Sequence, residues 1–382
     1  MPTNTQPIPR RLFEPLRVGR LTLKNRIVMA PMTRCRAVDI NVPSDLVVEY
    51  YAQRAGAGLI VTEATQVSVG AQGYWRTPGL HTERQCAVWR RAVERVHGEG
   101  GRIFVQLWHN GRIFHPDNVG PGLTPVAPSP IAANVRLMTP NGLRQASVPQ
   151  ELDARGIGNV TNEFVGAARL AVECGFDGVE IHAANGYLFD QFLHRSSNRR
   201  TDDWGGSIEN RSRFLLDTTN AVCRSIGADR VGVRVSPLGT FNDVQDPEPD
   251  EIYRHLATRL TDQGLAYLHV IRPAVSGSLT LSAPIADPLP EIRSLYRGTL
   301  LVAGDLDVAS ADHLIDSGLA DGVAFGRWFI GNPDLTERLR HGWPLAVADR
   351  AIYYSGGAQG YTDFARYERS RPATSTATAV RT

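Results

Sequence analysis

The sequence predicts an α/β fold: a single-domain (β/α)8 TIM barrel with one long excursion after its third strand. Three observations carry this expectation. Short apolar runs alternate with amphipathic segments over most of the 382 residues, the pattern of parallel strands joined by helical crossovers. The alternation recurs eight times, which closes a barrel. The competing fold, a doubly wound open sheet, calls for a glycine-rich phosphate loop directly after the first strand. No such loop follows here, and Gly56-Ala-Gly58 stands before the second strand.

In order, strands are expected at Arg26–Pro31, Leu59–Ala64, Arg102–Trp108, Gly178–Ile181, Val231–Ser236, Leu265–Ile271, Leu300–Ala303 and Gly322–Phe325. Helices are expected at Asp45–Gln53, Glu83–Glu99, Asn162–Cys174, Ile208–Ile226, Glu248–Gln263, Leu289–Tyr296, Ala309–Ser317 and Pro333–Arg340. The clearest helix places Val88, Ala92, Val93 and Val96 at helical spacing. Between Asn110 and Gln150 the sequence is rich in Pro and Gly and shows no clear period. A loop of that length reads as a lid or a wall of the site. The barrel domain is bounded at 12–364, with flexible termini at 1–11 and 370–382.

Hydrophobic residues make up 42% and charged residues 21% of the chain, the balance of a soluble globular protein. A formal net charge of +2 gives no case for nucleic acid or an anionic membrane. No apolar run reaches the length of a transmembrane helix and no leader-like segment opens the chain, so the expected location is the cytoplasm. Cys35, Cys86, Cys174 and Cys223 are scattered and form no C-x-x-C pair. That argues against a metal site, an iron–sulfur centre and a disulfide framework. Cys35 reads as an inert buried thiol.

A barrel places its chemistry at the C-terminal ends of its strands. Those ends carry few carboxylates, which weakens metal-ion and glycosidase readings. Lys24 is the only lysine and stands on no strand end, which counts against a Schiff-base enzyme. The fourth strand leads into His182-Ala-Ala-Asn185-Gly-Tyr187. His and Asn can donate to one carbonyl oxygen, and Tyr can supply a proton. The same residues also fit a satisfied histidine followed by an Asn-Gly turn. Gln106 and Arg234 can hydrogen-bond a heteroaromatic ring bearing carbonyls, though Arg234 also fits a strand-end ion pair. Turns at the seventh and eighth strands, with Arg327, suit a phosphate.

Five motifs appear in order: Asn25–Arg34 (NRIVMAPMTR), Gln106–His109 (QLWH), His182–Tyr187 (HAANGY), Asp202–Arg211 (DDWGGSIENR) and Gly356–Asp363 (GGAQGYTD). Together they resemble the old yellow enzyme family of FMN-dependent ene-reductases. The likeness is to the subgroup of the pentaerythritol tetranitrate, N-ethylmaleimide and 12-oxophytodienoate reductases, and it covers Leu12 to Phe364.

The resemblance implies roles position by position. Pro31, Met32, Thr33, Ala64, Gln106, His182 and Arg234 would meet the flavin, with Arg234 favouring its anionic reduced form. Ala303, Gly304, Gly326 and Arg327 would hold the FMN phosphate. His182 and Asn185 would bind the activating oxygen of the substrate, and Tyr187 would protonate the α-carbon. Tyr74, Trp108 and Tyr354 would wall the substrate pocket, and Arg272, with small neighbours, would alter it. The implied reaction reduces the C=C bond of α,β-unsaturated carbonyl, nitro or imide compounds. Hydride passes from NADPH or NADH to flavin N5 and on to the β-carbon, by ping-pong turnover. The implied partner is a small electrophilic alkene, acted on by a monomer or homodimer with no metal. A flavin-dependent isomerase and a dedicated biosynthetic reductase on the same scaffold are the alternatives.

Overall fold

Eight parallel strands close on themselves, each rich in the β-branched and aliphatic side chains that suit a strand buried on both faces. They are β1 (Ile27–Met29), β2 (Leu59–Val61), β3 (Ile103–Trp108), β4 (Gly178–Ala183), β5 (Val231–Val235), β6 (Tyr267–Ile271), β7 (Leu300–Ala303) and β8 (Gly322–Phe325). Each strand pairs with the next in parallel; β8 returns to β1, so no edge is left. The helices of the outer ring are α1 (Leu46–Gln53), α2 (Glu83–Gly98), α3 (Ala154–Glu173), α4 (Ile208–Ile226), α5 (Pro249–Thr261), α6 (Leu289–Leu295), α7 (Val308–Asp316) and α8 (Leu335–His341). This computed structural model describes residues 11–39, 41–277, 279–280, 286–354 and 356–368. Of the expected flexible segments 1–11 and 370–382, all but Arg11 lie outside those residues, and Arg11 opens a 3-10 turn, Arg11–Phe13.

The expected barrel is therefore present, with strand boundaries shifted by a few residues. The sequence places the start of the third helix eight residues late. Gly156, Gly158 and Thr161 lower helix propensity there. The fold overrides them: Asp153 caps the helix by accepting from the Gly156 N–H at 2.6 Å, and Ile157, Val160 and Phe164 pack into the core. The excursion after β3 also has structure. A hairpin pairs Arg136–Thr139 with Gly142–Gln145, and a short parallel pair joins Val126–Ala127 to Gln150–Glu151. A further hairpin, Leu16–Val18 with Leu21–Leu23, packs into one cluster with Phe104, Tyr267 and Leu301.

The cysteine expectation needs correction. Cys86 on α2 and Cys174 at the end of α3 form a disulfide, wholly buried, across 88 residues of sequence. Spacing along the chain conceals the pair because the barrel brings its two helices together only in space. Cys35 and Cys223 are free. No helix among the described residues is long and apolar enough to cross a membrane.

Candidate active site

The strand ends open into a cavity of about 1220 Å³. The segment after β1 contributes Ala30, Pro31, Met32 and Thr33; the ends of β7 and β8 and the residues just after them contribute Ala303, Gly304, Gly326 and Arg327. Tyr74, Asn185, Tyr187, Arg234 and Tyr354 complete the predicted part of the wall. The hairpin after β3 adds Arg136 to Met138, so the long excursion forms a wall of the site as expected.

The turn after β4 sets the central geometry. Asn185 and Gly186 both have positive φ, 59° and 70°, and the Tyr187 N–H donates to the Ala184 carbonyl at 3.3 Å. Two successive left-handed residues inside such a bond make a tight turn that Asn and Gly tolerate best. The Asn185 N–H donates to Ser236 Oγ at 2.8 Å, and its carbonyl accepts from Asn242 Nδ2 at 2.9 Å. The Gly186 N–H donates to the buried Asp190 carboxylate at 2.7 Å. With its backbone held on three sides, Asn185 lines the cavity. The turn reading and the functional reading thus describe one object.

Tyr187 emerges from this turn with its ring edge-on to Trp108 and His182, at centroid distances of 4.8 and 4.9 Å. Its hydroxyl donates to the Tyr74 hydroxyl at 3.4 Å. Burial, and then the neighbouring Tyr74, push its proton affinity well above that of free tyrosine. The group is a held proton. His182 behaves in the opposite sense: burial, with the charge of Arg234 behind it, pushes the imidazole well below its ordinary pKa. The Ala184 N–H donates to His182 Nδ1 at 3.3 Å. The neutral ring therefore carries its proton on Nε2, where it can be donated.

Other predicted residues stand behind the lining. Trp108 is wholly buried and stacks on Tyr74 at 5.7 Å, so it supports the wall and does not form it. Ala64 packs in the same cluster. Gln106 directs Nε2 to Glu180 Oε1 at 2.7 Å. Arg272 requires correction. It is not a lining residue, because its guanidinium pairs with Asp287 at 2.8 Å while its N–H is taken by the Ala303 carbonyl.

Several lining residues escaped the sequence reading, among them Phe241, Asn242, Asp305, Arg350 and Tyr353. Asn242 and Asp305 adopt positive φ, 63° and 47°. That marks them as turn formers after β5 and β7, and the pairs Asn242-Asp243 and Gly304-Asp305 are the sequence signal that could have exposed them.

The donor set fits a flavin mononucleotide. Arg234 is 7% exposed, lines the cavity, and its Nε has no hydrogen-bond partner among the described residues. A buried guanidinium with an unpartnered N–H calls for an anionic or carbonyl ligand. Gly304, at φ 121°, holds a backbone conformation that strains any side chain, and a Cβ there would press on the Arg272 backbone at 3.0 Å, so main chain forms that rim. Arg327 lies on the same rim and is bonded to Asp305 at 2.6 Å and to Thr280 at 2.9 Å.

Fold and site together define a barrel oxidoreductase that works with a flavin. The chain belongs to the NADH:flavin oxidoreductase / NADH oxidase family, whose model matches residues 11–346. A probable flavin mononucleotide-dependent alkene reductase of Leishmania infantum is 42% identical over 358 residues, covering 92% of this chain and 96% of the relative. Morphinone reductase in complex with tetrahydroNAD superposes with a TM-score of 0.88 at 43% identity, over 94% of this chain and 99% of that one. The old yellow enzyme homologue of Zymomonas mobilis gives 0.90 at 40%, over 93% and 99%. These findings bear out the old yellow enzyme resemblance.

Proposed function

We propose that this protein is an FMN-dependent ene-reductase driven by NADPH or NADH and acting on small alkenes activated by a carbonyl, nitro or imide group. FMN, when bound, would supply the hydride chemistry that links the reduced nicotinamide to the β-carbon of the alkene. Pro31, Met32, Thr33 and Arg234 would hold the flavin ring from the cavity lining, with Ala64, Gln106 and His182 reaching it from behind. Ala303, Gly304, Gly326 and Arg327 hold the phosphate. His182 Nε2–H and the Asn185 amide donate to the activating oxygen, stabilising the charge that develops there. Tyr187 delivers its proton to the α-carbon, and Tyr74 and Tyr354 confine the substrate, with Trp108 stacked behind Tyr74.

The observation that carries the reading is Tyr187, kept protonated by burial, in one cavity with Asn185 and the unpartnered Arg234. That proton donor disfavours a non-reducing isomerase. All the groups come from one chain, so a monomer or homodimer suffices. Dependence on a pool of reduced nicotinamide supports the cytoplasm as the place of action.

The test is an anaerobic titration with NADPH, followed in the visible spectrum, then addition of 2-cyclohexenone. The flavin band bleaches and returns with the enone. A band that bleaches but is restored by no enone, nitroalkene or maleimide overturns the ene-reductase reading. Absence of any flavin after reconstitution with FMN overturns the cofactor.

A further inference from the structure

One charged group inside the barrel touches neither the cavity nor any residue of the excursion. Glu180, on β4, is wholly buried. Its Oε1 accepts from Gln106 Nε2 at 2.7 Å, and its Oε2 accepts from His269 Nδ1 at 2.8 Å. Strand register places the group: Gln106 on β3 pairs with Glu180, and His269 on β6 pairs with Arg234 on β5. His269 Nε2 has no partner among the described residues, and burial lowers the imidazole pKa. A neutral ring donating through Nδ1 satisfies both facts. Burial drives the Glu180 carboxyl up, but His269, Arg234 and Gln106 together bring it below the ordinary range. Arg234 stands on the neighbouring strand two residues beyond Gly232, the register partner of Glu180, and so on the same face; it supplies the compensating positive charge, and a carboxylate this deep without one is strongly unfavourable.

Two consequences follow for the cavity. A carboxylate can only accept, so Gln106 must turn Nε2 toward it, leaving the amide carbonyl as its free end. A negative charge behind Arg234 also subtracts from the field that the guanidinium projects into the cavity.

We propose that Glu180 is a positioning residue of the flavin site: it fixes the Gln106 amide with Oε1 free for the cofactor and offsets part of the Arg234 charge. The proposal rests on the FMN reading above. Glu180 touches no reacting atom and acts through its two neighbours.

Glu180→Gln keeps the shape, removes the charge and frees the Gln106 amide to turn over. With less charge to offset it, Arg234 stabilises the reduced flavin more. The midpoint potential of the bound flavin therefore moves positive, by at least tenfold in the reduced-to-oxidised ratio (about 30 mV for a two-electron couple). Glu180→Asp, which keeps the charge, stays within about threefold of the native ratio on the same scale. The FMN dissociation constant, read by fluorescence quenching, rises about tenfold or more in Glu180→Gln, as expected when a cofactor hydrogen bond loses its fixed orientation. A potential within about twofold of wild type, on that scale, overturns the charge role; an unchanged dissociation constant overturns the amide role. If Glu180→Gln does not fold, His269→Leu makes the test. It withdraws a donor from the carboxylate, which then takes up a proton, and the potential again moves positive; no movement overturns the proposal. Wild-type protein that binds FMN, is bleached by NADPH and regains its band with 2-cyclohexenone keeps the ene-reductase reading whichever way the variants fall. Wild-type protein that takes up no FMN removes both.

Discussion

Tyr187 shows most directly how one residue's environment decides its chemistry. Deep burial and the Tyr74 hydroxyl, itself pushed up to about 12, hold the phenol as an acid throughout the neutral range. Tyr187→Phe keeps the ring contacts with Trp108 and His182 and removes only the proton. Proton transfer by a positioned side chain contributes roughly 10²–10⁴-fold, so alkene turnover falls by that order while anaerobic bleaching by NADPH keeps its wild-type rate. Equal loss in both half-reactions would show that Tyr187 shapes the pocket and donates nothing. The His–Asn–Tyr group was legible because three polar residues fell within six positions of a strand end. Arg272 misled for the opposite reason: its position on a strand end was visible, but Asp287, fifteen residues on, was not readable as its partner. Trp108 was placed on the right strand but one layer too near the substrate, since a sequence does not distinguish the wall of a cavity from the side chain that supports it.

At the scale of elements, periodicity was enough where helices are long and strongly amphipathic. Ile208–Ile226 coincides with its expectation, and so do the strands at 300–303 and 322–325. The expectation failed where capping outweighs propensity, as at Asp153, and where two elements meet only in the closed barrel, as at Cys86 and Cys174. The disulfide gives a test of that closure. It ties α2 to α3 across 88 residues, and cross-linking a loop of that size stabilises by about 4.6 kcal/mol in the chain-entropy account. Cys174→Ala is therefore expected to lower the urea unfolding free energy by about 2–4 kcal/mol. Excess dithiothreitol, given time to reach the buried bond, lowers the wild type to the same level and leaves the variant unchanged. A wild-type midpoint that no reductant moves, alongside a full count of free thiols, would show that the two cysteines are unlinked in solution.

Over the whole molecule, the first and last parts of the barrel are joined by buried cations. Arg34 donates to the carbonyls of Tyr353 at 2.9 Å and Gly360 at 2.7 Å; Arg36 donates to those of Ile352, Gly357 and Gln359. The segment that carries Tyr353 and Tyr354 to the cavity is thus anchored at the end of β1. The nearby carboxyl is Glu63, 4% exposed, which accepts from the Arg34 N–H at 3.1 Å. Burial raises its pKa from 4.5 to about 7, with the Arg34 N–H and the charges of Arg34 and Arg36 opposing the rise. The sign follows from proton linkage: between these two values the folded protein holds a proton that the unfolded chain has released, so folding weakens as pH rises. The stabilising contribution is complete below pH 4.5 and is lost through pH 7, a swing of roughly 3 kcal/mol. Glu63→Gln removes this dependence while leaving other titrations in place, so they cancel in the difference between the two proteins. Urea unfolding from pH 5 to 8 should therefore show the variant gaining on the wild type with each step, and levelling above neutrality. If the difference instead stays within about 0.5 kcal/mol across that range, the scale on which distant sites add, Glu63 is ionised in the fold at every pH and its charge is held fully by Arg34 and Arg36.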